Sequence, residues 1–265
     1  MPRYITESLR VFDIHMDPLL RVILLFYGFM IIVGPITLRG TFRYRAKIEA
    51  QPVPKEALPD AVRNFMEPRI PGLQALGFEL VSYVNLGSIA GGTQAFMALL
   101  SNRSTSEWAD VSVVCSKIKF AGYTEFITRC TEDVQVDTNT NSTAGVLSAD
   151  PTRHVFRFPQ VKDPWTLLRL HRMLVAEKTR GMRPVIPPAG QEVAELKRRL
   201  ERYGPRQQER GYLYLDSDGQ AYRLTWKGAI FAAWRSVWPV PIFRGWRMKQ
   251  LGASRLRALG VASQT

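Results

Sequence analysis

Basic and aromatic side chains alternate through the C-terminal segment, and this combination could bind anions at a membrane surface. No Asp or Glu follows Asp218, although basic residues continue almost to the end of the chain. Trp favours the boundary between lipid headgroups and acyl chains, while Lys and Arg are attracted to anionic phosphates. The predicted membrane-surface or anion-binding residues are Lys227, Arg235, Arg244, Arg247, Lys249, Trp226, Trp234, Trp238 and Trp246.

Helical spacing positions the first of these residues on one side of a single element. Trp226, Ile230, Ala233 and Trp234 recur at intervals that give an apolar, aromatic helix face. Arg235 interrupts the run, and an Arg at the centre of a membrane span costs ~2.5 kcal/mol or more. The pattern therefore favours an amphipathic helix lying in the membrane interface. The alternative is a core helix of a small C-terminal module.

Residues for catalysis, metal binding or cofactor binding do not form a recognisable motif. The histidines His15, His154 and His171 are far apart and have no zinc-ligand spacing. The glycine-rich stretch at 87–92 lacks the lysine and the helix of a phosphate-binding loop. The sequence thus predicts no catalytic residue, metal ligand or cofactor, and we expect a protein that is not an enzyme.

The two cysteines fall on strands that we expect to form a hairpin. If the hairpin closes at Ala121-Gly122, Cys115 and Cys130 face each other or lie on a near diagonal. Two interpretations remain: buried small side chains in a reducing compartment, or a redox pair.

The stretch Leu19–Leu38 predicts a membrane anchor. It has no charge after Arg21, and Arg39 follows it directly. Its length covers most of a ~30 Å hydrocarbon core at about 1.5 Å per residue. A core helix of a soluble protein would show a polar face. In a cleaved signal peptide, positively charged residues would come before the apolar stretch and a cleavage site of small residues would come after it. Since these features are missing, we expect a retained anchor.

Charge on either side of the anchor predicts its direction. The segment before it is close to neutral, whereas five basic residues follow within seventeen positions: Arg39, Arg43, Arg45, Lys47 and Lys55. Because basic residues flank the cytoplasmic end of membrane helices, the bulk of the chain is expected in the cytoplasm. The overall balance of 36 basic against 23 acidic residues agrees with an anionic partner.

The middle of the chain predicts an α+β domain. Strand-forming residues fill five segments, 78–86, 93–101, 109–119, 123–132 and 153–158, joined by connections too short for helices. An antiparallel β-meander of about five strands follows from these spacings. A helix is expected before it at Pro59–Leu76, and Asp163-Pro164 opens another after it. The segment Asp137–Asp150 reads as a polar loop.

The C-terminal module predicts a helix, a hairpin and a second helix. Glu192–Tyr203 is a charged helix, and the turn Asp216–Gly219 joins two short strands. The following Tyr222–Gly228 resembles the wing of winged-helix DNA-binding domains. The resemblance covers under a fifth of the chain and implies DNA contacts by four residues of the preceding helix: Lys197, Arg198, Arg199 and Arg202.

These observations divide the chain into a tail (1–18), an anchor (19–38), a basic linker (39–57), an α+β domain (58–180) and a basic C-terminal module (184–265). The expected protein is a single-pass membrane protein of bacterial type, with a binding or assembly module on the cytoplasmic face. Its expected partners are the lipid bilayer and anionic phospholipid headgroups. The alternatives are a membrane-tethered nucleic-acid-binding protein and an enzyme whose site comes from residues distant in sequence.

Overall fold

A mixed β-sheet with helices on both faces forms the body of the protein, and one apolar helix precedes it. The computed structural model describes residues 17–90, 92–116, 120–143, 145, 147, 150–236, 239–258 and 260. Most of the tail expected at 1–18, with His15, and Trp238 lie outside these residues. The predicted α+β class is confirmed.

The helices are α1 (Pro18–Thr41), α2 (Asp60–Met66), α3 (Ile70–Gln74), α4 (Pro164–Thr179), α5 (Glu192–Glu201), α6 (Tyr203–Glu209), α7 (Trp226–Ser236) and α8 (Val240–Ala258). The strands are β1 (Tyr44–Arg45), β2 (Gln51–Val53), β3 (Glu79–Ala90), β4 (Thr93–Asn102), β5 (Glu107–Cys115), β6 (Phe120–Arg129), β7 (Gln135–Asn139), β8 (Arg153–Arg157), β9 (Leu213–Leu215) and β10 (Ala221–Leu224).

Helix α1 contains the apolar segment. The Asp17 carboxylate accepts a hydrogen bond from the Leu19 backbone N–H at 2.8 Å, and Pro18 occupies the first helical turn, where its missing N–H is not needed. The apolar side chains between Leu19 and Ile36 are mostly exposed. The helix is long and apolar enough to span a membrane by length and composition alone, a criterion that a signal sequence also meets.

Seven strands form the larger part of the sheet, in the order β8-β7-β6-β5-β4-β3 with β2 also paired to β3. Neighbours from β3 to β7 are antiparallel. A smaller three-stranded part, β1-β10-β9, meets the larger part through one residue pair, Tyr44 with Ala90. Strand β1 follows α1 closely, so the end of α1 is connected to the C-terminal strands β9 and β10.

Strand β7 was not predicted. Its residues from Asp137 onward were assigned to a polar loop, because Asp and Asn rarely occur in strands. In the structure Gln135–Asn139 are all buried and pair with β6. Strand β8 then pairs with β7 in parallel. The thirteen residues between them are enough to return the chain in the same direction, as a parallel pair requires.

The expected facing of Cys115 and Cys130 is wrong. Strands β5 and β6 pair Cys115 with Phe120 and Trp108 with Ile127, so the chain reverses before Phe120 and not at Ala121-Gly122. The two thiols therefore lie at opposite ends of the hairpin, and both are free. Gly122 lies within strand β6, paired with Val113, and it is a glycine because the Phe65 ring occupies the space that a Cβ would need.

One face of the sheet packs on α2, α3 and α4 in an apolar core. Asp163 caps α4 as predicted, accepting a 2.7 Å hydrogen bond from the Thr166 backbone N–H. His171 is fully buried on the face of α4 that packs against the sheet. Its Nε2 lies 2.8 Å from the Thr128 hydroxyl and its Nδ1 lies 3.0 Å from the Thr138 hydroxyl.

The opposite face packs on α5, α7 and the β9–β10 hairpin in a second core. Over β3 and β4 this face is apolar, with Val84, Leu86, Met97 and Leu99 buried. Over β5 to β8 the same face also has buried charged residues, Asp110, Glu125 and Asp137, beside the apolar Trp108 and Ile127.

Candidate functional site

Three acidic side chains lie side by side on the polar face of the sheet. Asp110 of β5 pairs with Glu125 of β6, Glu125 pairs with Asn139 of β7, and Asp137 lies two residues before Asn139. The three carboxyl groups are at most 4% exposed. Such close burial of like charges is costly unless some of them are protonated or paired.

Protonation and pairing relieve this cost at different positions. Burial, together with the Glu125 carboxylate, raises the pKa of Asp110 to about 8, so Asp110 is mostly a neutral acid at pH 7. Burial and then Asp137 also raise the pKa of Glu125, which accepts a 2.7 Å hydrogen bond from the Asn139 amide. Asp137 forms an ion pair with Arg153 and accepts a 2.6 Å hydrogen bond from Gln135.

Beyond Gln135 and Arg153, a cavity of about 220 Å³ opens between β8 and the helices α5 to α8. Among the described residues that line it, eight are arginine and two are aspartate. Helix α5 contributes Arg199, α7 contributes Arg235 and α8 contributes Arg244, while Arg153 and Arg157 rise from β8. Asp110, Glu125 and Asp137 are not among the described lining residues.

Half of these arginines are neutralised by acidic residues of the chain. Arg129 pairs with Glu195, Arg202 pairs with Asp133 at 2.7 Å, and Arg206 pairs with both Asp133 and Asp150. Arg153 pairs with Asp137. These ion pairs use both aspartates of the cavity wall.

The other four arginines, Arg157, Arg199, Arg235 and Arg244, make no hydrogen bond or ion pair with any residue that the structure describes. Nε of Arg157, Nη1 of Arg199 and Nε of Arg235 are buried without a hydrogen-bond acceptor. Buried donors of this kind are rare in folded proteins, because each loses its hydration without replacement.

A wider groove of about 700 Å³ continues from the cavity along α8. The two share Val155, Arg157, Arg235 and Arg244. Elsewhere the groove has apolar walls, including Phe156, Phe158, Met248 and Leu251, and it also contains Arg247 and Arg255. An elongated ligand could therefore place a polar end in the cavity and an apolar part in the groove.

Helices α7 and α8 expose a set of large apolar side chains, and α7 lies beside α1. We call it the aromatic surface, formed by Trp226, Ile230, Trp234, Ile242, Phe243 and Trp246. Arg39 at the end of α1 lies 4.6 Å from the ring centroid of Trp226. One turn earlier in the anchor, Gly34 approaches Ala233, so α1 and α7 run antiparallel. Large exposed apolar patches usually mark a protein or membrane contact.

The residues predicted for anion or membrane binding divide into three groups. Arg235 and Arg244 line both the cavity and the groove, and Arg247 lines the groove. Trp226, Trp234 and Trp246 are 52%, 61% and 59% exposed on the aromatic surface. Lys249 is exposed, and Lys227 donates a 2.8 Å hydrogen bond to the Arg210 carbonyl and lies over the Tyr212 ring.

The basic residues expected to contact DNA have intramolecular partners, with one exception. Arg198 pairs with Glu195, Arg202 with Asp133, and Lys197 lies 4.0 Å from Glu201. Arg199 faces the cavity.

Sequence reasoning missed Arg157 and the buried acids, and it assigned Arg199 to DNA contacts. The alternation of polar residues in QVDTN of β7 and of arginines in RHVFR of β8 was the available signal, since every second side chain of a strand points to the same face. The described residues include no group of His, Cys, Asp and Glu that could hold a metal ion. Comparisons with models of known protein families, with curated protein sequences and with solved structures each gave no match to this chain.

Proposed function

We propose that this protein is a single-pass membrane protein whose C-terminal helices lie on the anionic cytoplasmic surface of the bilayer, where it acts as a binding or assembly module and not as an enzyme. The observation that carries the proposal is the packing of α7 against the inner end of the anchor. Gly34, which contacts Ala233, is five residues before Arg39, or about 7 Å along the helix axis. Interfacial helices are immersed to a similar depth, about 5–10 Å.

The same packing supports retention of the anchor. Leu38 and Phe42 pack against the second core, and Arg39 lies over Trp226. Cleavage after the apolar segment would expose the α7 face that now contacts α1. A signal peptide is removed from the mature protein, so such contacts with the folded body would be lost.

The distribution of charge supports the cytoplasmic side and an anionic lipid surface. The residues after the anchor are mainly basic, and Arg247 and Lys249 extend from α8 next to the exposed Trp246. Lys and Arg near an anionic leaflet each contribute roughly 1 kcal/mol. The pairing of Arg198 and Arg202 with acidic residues leaves less basic surface on α5 for nucleic acid.

The geometry of the acids favours binding over catalysis. The carboxyl groups with a raised pKa, Asp110 and Glu125, are not among the described residues that line the cavity. The acids that do line it, Asp133 and Asp150, already pair with arginines. A general acid or base must come within hydrogen-bond reach of its substrate.

Depth measurements on the full chain in lipid nanodiscs test the membrane contact. A spin label is attached in turn at Trp246→Cys and at Trp165→Cys, in a background with Cys115→Ala and Cys130→Ala. Trp165 is 53% exposed on α4, at the opposite face of the sheet, and serves as the matched control. We expect label 246 to relax with lipid-soluble oxygen and label 165 with a water-soluble nickel chelate. Equal access of the chelate to both labels would overturn the proposal.

Two further arms test the charge and the side of the membrane. Adding phosphatidylglycerol should increase the immersion depth of the label at residue 246. Arg247→Glu with Lys249→Glu should reverse this increase, whereas Arg169→Glu on α4 should not.

For the side of the membrane, Ser217→Cys in the exposed hairpin turn should react with an impermeant thiol reagent only after cells are permeabilised. Reaction in intact cells would contradict the cytoplasmic orientation.

A further inference from the structure

Four guanidinium groups converge on one cavity from four different elements. Arg157 lies on β8, Arg199 on α5, Arg235 on α7 and Arg244 on α8. Folding has brought them together from positions up to 87 residues apart in sequence. Arg202 and Arg206 line the same cavity, and both pair with Asp133.

Three of the four groups, Arg157, Arg235 and Arg244, repel one another. Burial lowers the pKa of Arg157; the Glu125 carboxylate opposes this, and the nearby charges of Arg153 and Arg244 add to the lowering. Like charges held together in a partly buried site are unfavourable unless an opposite charge is bound between them. Glu125 attracts Arg157, and both Asp110 and Glu125 attract Arg199. Neither acid forms an ion pair or a hydrogen bond with the four arginines, and neither is among the described residues that line the cavity, so a bound anion would neutralise charge that the acids leave.

We propose that the cavity is a binding site for a phosphomonoester group, held by Arg157, Arg199, Arg235 and Arg244. A phosphomonoester carries nearly two negative charges at pH 7 and three strong acceptor oxygens. Guanidinium groups match these oxygens with two parallel hydrogen bonds each. A phosphodiester, with one charge and fewer free oxygens, would satisfy fewer of the four groups.

The groove supplies a route for a lipid that carries such a group. It joins the cavity at Arg157, Arg235 and Arg244 and continues between apolar side chains such as Phe158 and Leu251 along α8. A phosphomonoester lipid would place its headgroup in the cavity and its first acyl carbons in the groove. A soluble phosphate ester would fill the cavity alone. This site goes beyond the proposed membrane contact and does not require it.

Ligand-dependent stabilisation of the full chain tests the site. The protein is placed in phosphatidylcholine nanodiscs, and its unfolding midpoint is measured at constant ionic strength with inorganic phosphate, or with phosphatidic acid or phosphatidylglycerol in the disc. A ligand that binds only the folded state raises the midpoint. We expect inorganic phosphate, phosphatidic acid or both to raise it, and phosphatidic acid to act more strongly than phosphatidylglycerol. The ligand that raises the midpoint, inorganic phosphate or phosphatidic acid, shows whether the site takes a soluble phosphate ester or a lipid headgroup.

Variants separate binding from folding. Arg157→Gln and Arg199→Gln should each weaken binding at least tenfold, since each loses charge-assisted hydrogen bonds. Without ligand, Arg157→Gln should be at least as stable as the wild type because a like-charge contact is removed. Arg157→Lys, which keeps the charge but not the fork of donors, should bind with intermediate affinity. Arg169→Gln, on the far face, should bind normally.

Three results would overturn the site. They are no stabilisation by either phosphomonoester source, equal stabilisation of the wild type and both Gln variants, and a rise in the midpoint that phosphatidylglycerol and phosphatidic acid produce to the same extent. The depth of a label at residue 246 is measured separately, so loss of the phosphate site and loss of the membrane contact give different results.

Discussion

Gly34 of the anchor approaches Ala233 of α7 so closely that a Cβ added to Gly34 would lie 3.5 Å from the Cβ of Ala233. Small residues at a helix contact allow the backbones to come together in this way. Disulfides form when Cβ atoms are about 3.5–4.5 Å apart. We therefore predict that Gly34→Cys and Ala233→Cys, in a background without the native cysteines, form a disulfide on oxidation of the full chain in nanodiscs.

The matched control uses Gly28, which has no atom within 4 Å of an added Cβ. It lies six residues, or about 9 Å, from Gly34 along the helix. Gly28→Cys with Ala233→Cys should remain reduced under the same conditions. Cross-linking of both pairs to the same extent would show that α7 does not hold a fixed position against the anchor.

His171 should make stability fall in mild acid. Burial lowers its pKa to about 4 from an ordinary value of 6.5, although Glu107 and Asp137 oppose this and Arg172 adds to it. Between pH 4 and 6.5 the unfolded chain therefore binds more protons than the folded chain. The contribution of neutral His171 to stability is fully present above pH 6.5 and is lost as the pH falls toward 4. The loss approaches about 3 kcal/mol at pH 4. Denaturant unfolding in detergent between pH 4 and 8 should show that the stability of the wild type relative to His171→Gln falls as the pH drops from 6.5 toward 4; the comparison removes the opposite contribution of Asp110, which both proteins share. The same slope in both proteins would contradict it.

Asp110 should have the opposite pH dependence. Its pKa is about 8 in the folded protein against 3.8 ordinarily, so the folded state holds the extra proton between these values and stability decreases as the pH rises through this window. Asp110→Asn replaces a neutral acid by a neutral amide, and it should be more stable than the wild type at pH 8 by about 2 kcal/mol or more. Infrared difference spectra at pH 7 should show a protonated carboxyl band that Asp110→Asn removes. A band that persists in the variant would assign the proton to another acid.

Gly228 at the start of α7 should not accept a larger residue. A Cβ at this position would collide with the backbone carbonyl of Tyr212, which cannot move without disturbing β9. Gly228→Ala should therefore destabilise the protein by more than about 2 kcal/mol despite the better helix propensity of Ala. Gly245→Ala in α8, where nothing lies within 4 Å, should stabilise it by about 1 kcal/mol. Thermal unfolding of both variants in the same detergent checks the pair, and a similar effect of the two substitutions would contradict the close packing of Gly228.

Local signals explain which elements could be predicted. The apolar anchor, and the helix opened by Asp163-Pro164, depend on residues that are adjacent in sequence. The hairpin turn was misplaced because Gly122 resembles a turn residue, whereas its small size is required by Phe65 from a distant helix. Strand β7 was missed because the Asp137 and Asn139 side chains are buried against polar partners that only the folded sheet supplies.

The candidate site was predicted only in part for the same reason. Arg235 and Arg244 stood out because they lie among tryptophans in a segment without acidic residues. Arg157 and Arg199 occur where acidic residues are common, and nothing local shows that these two lack partners. That distinction depends on which carboxylates the fold brings within reach, such as Asp133, which takes Arg202 and Arg206.

The short strand β1 has a consequence for biosynthesis. It leaves the anchor at Tyr44 and pairs with Tyr222, a residue that the ribosome adds almost 180 positions later. In the proposed topology α1 enters the bilayer long before α7 and β10 exist, and β1 stays without its partner β10 while the larger part of the sheet forms. Domains fold as they emerge during synthesis. In this protein the contacts between α1 and α7 are among the last to be completed, and a chain that stops before Trp226 leaves the C-terminal end of α1 without the α7 residues that cover it.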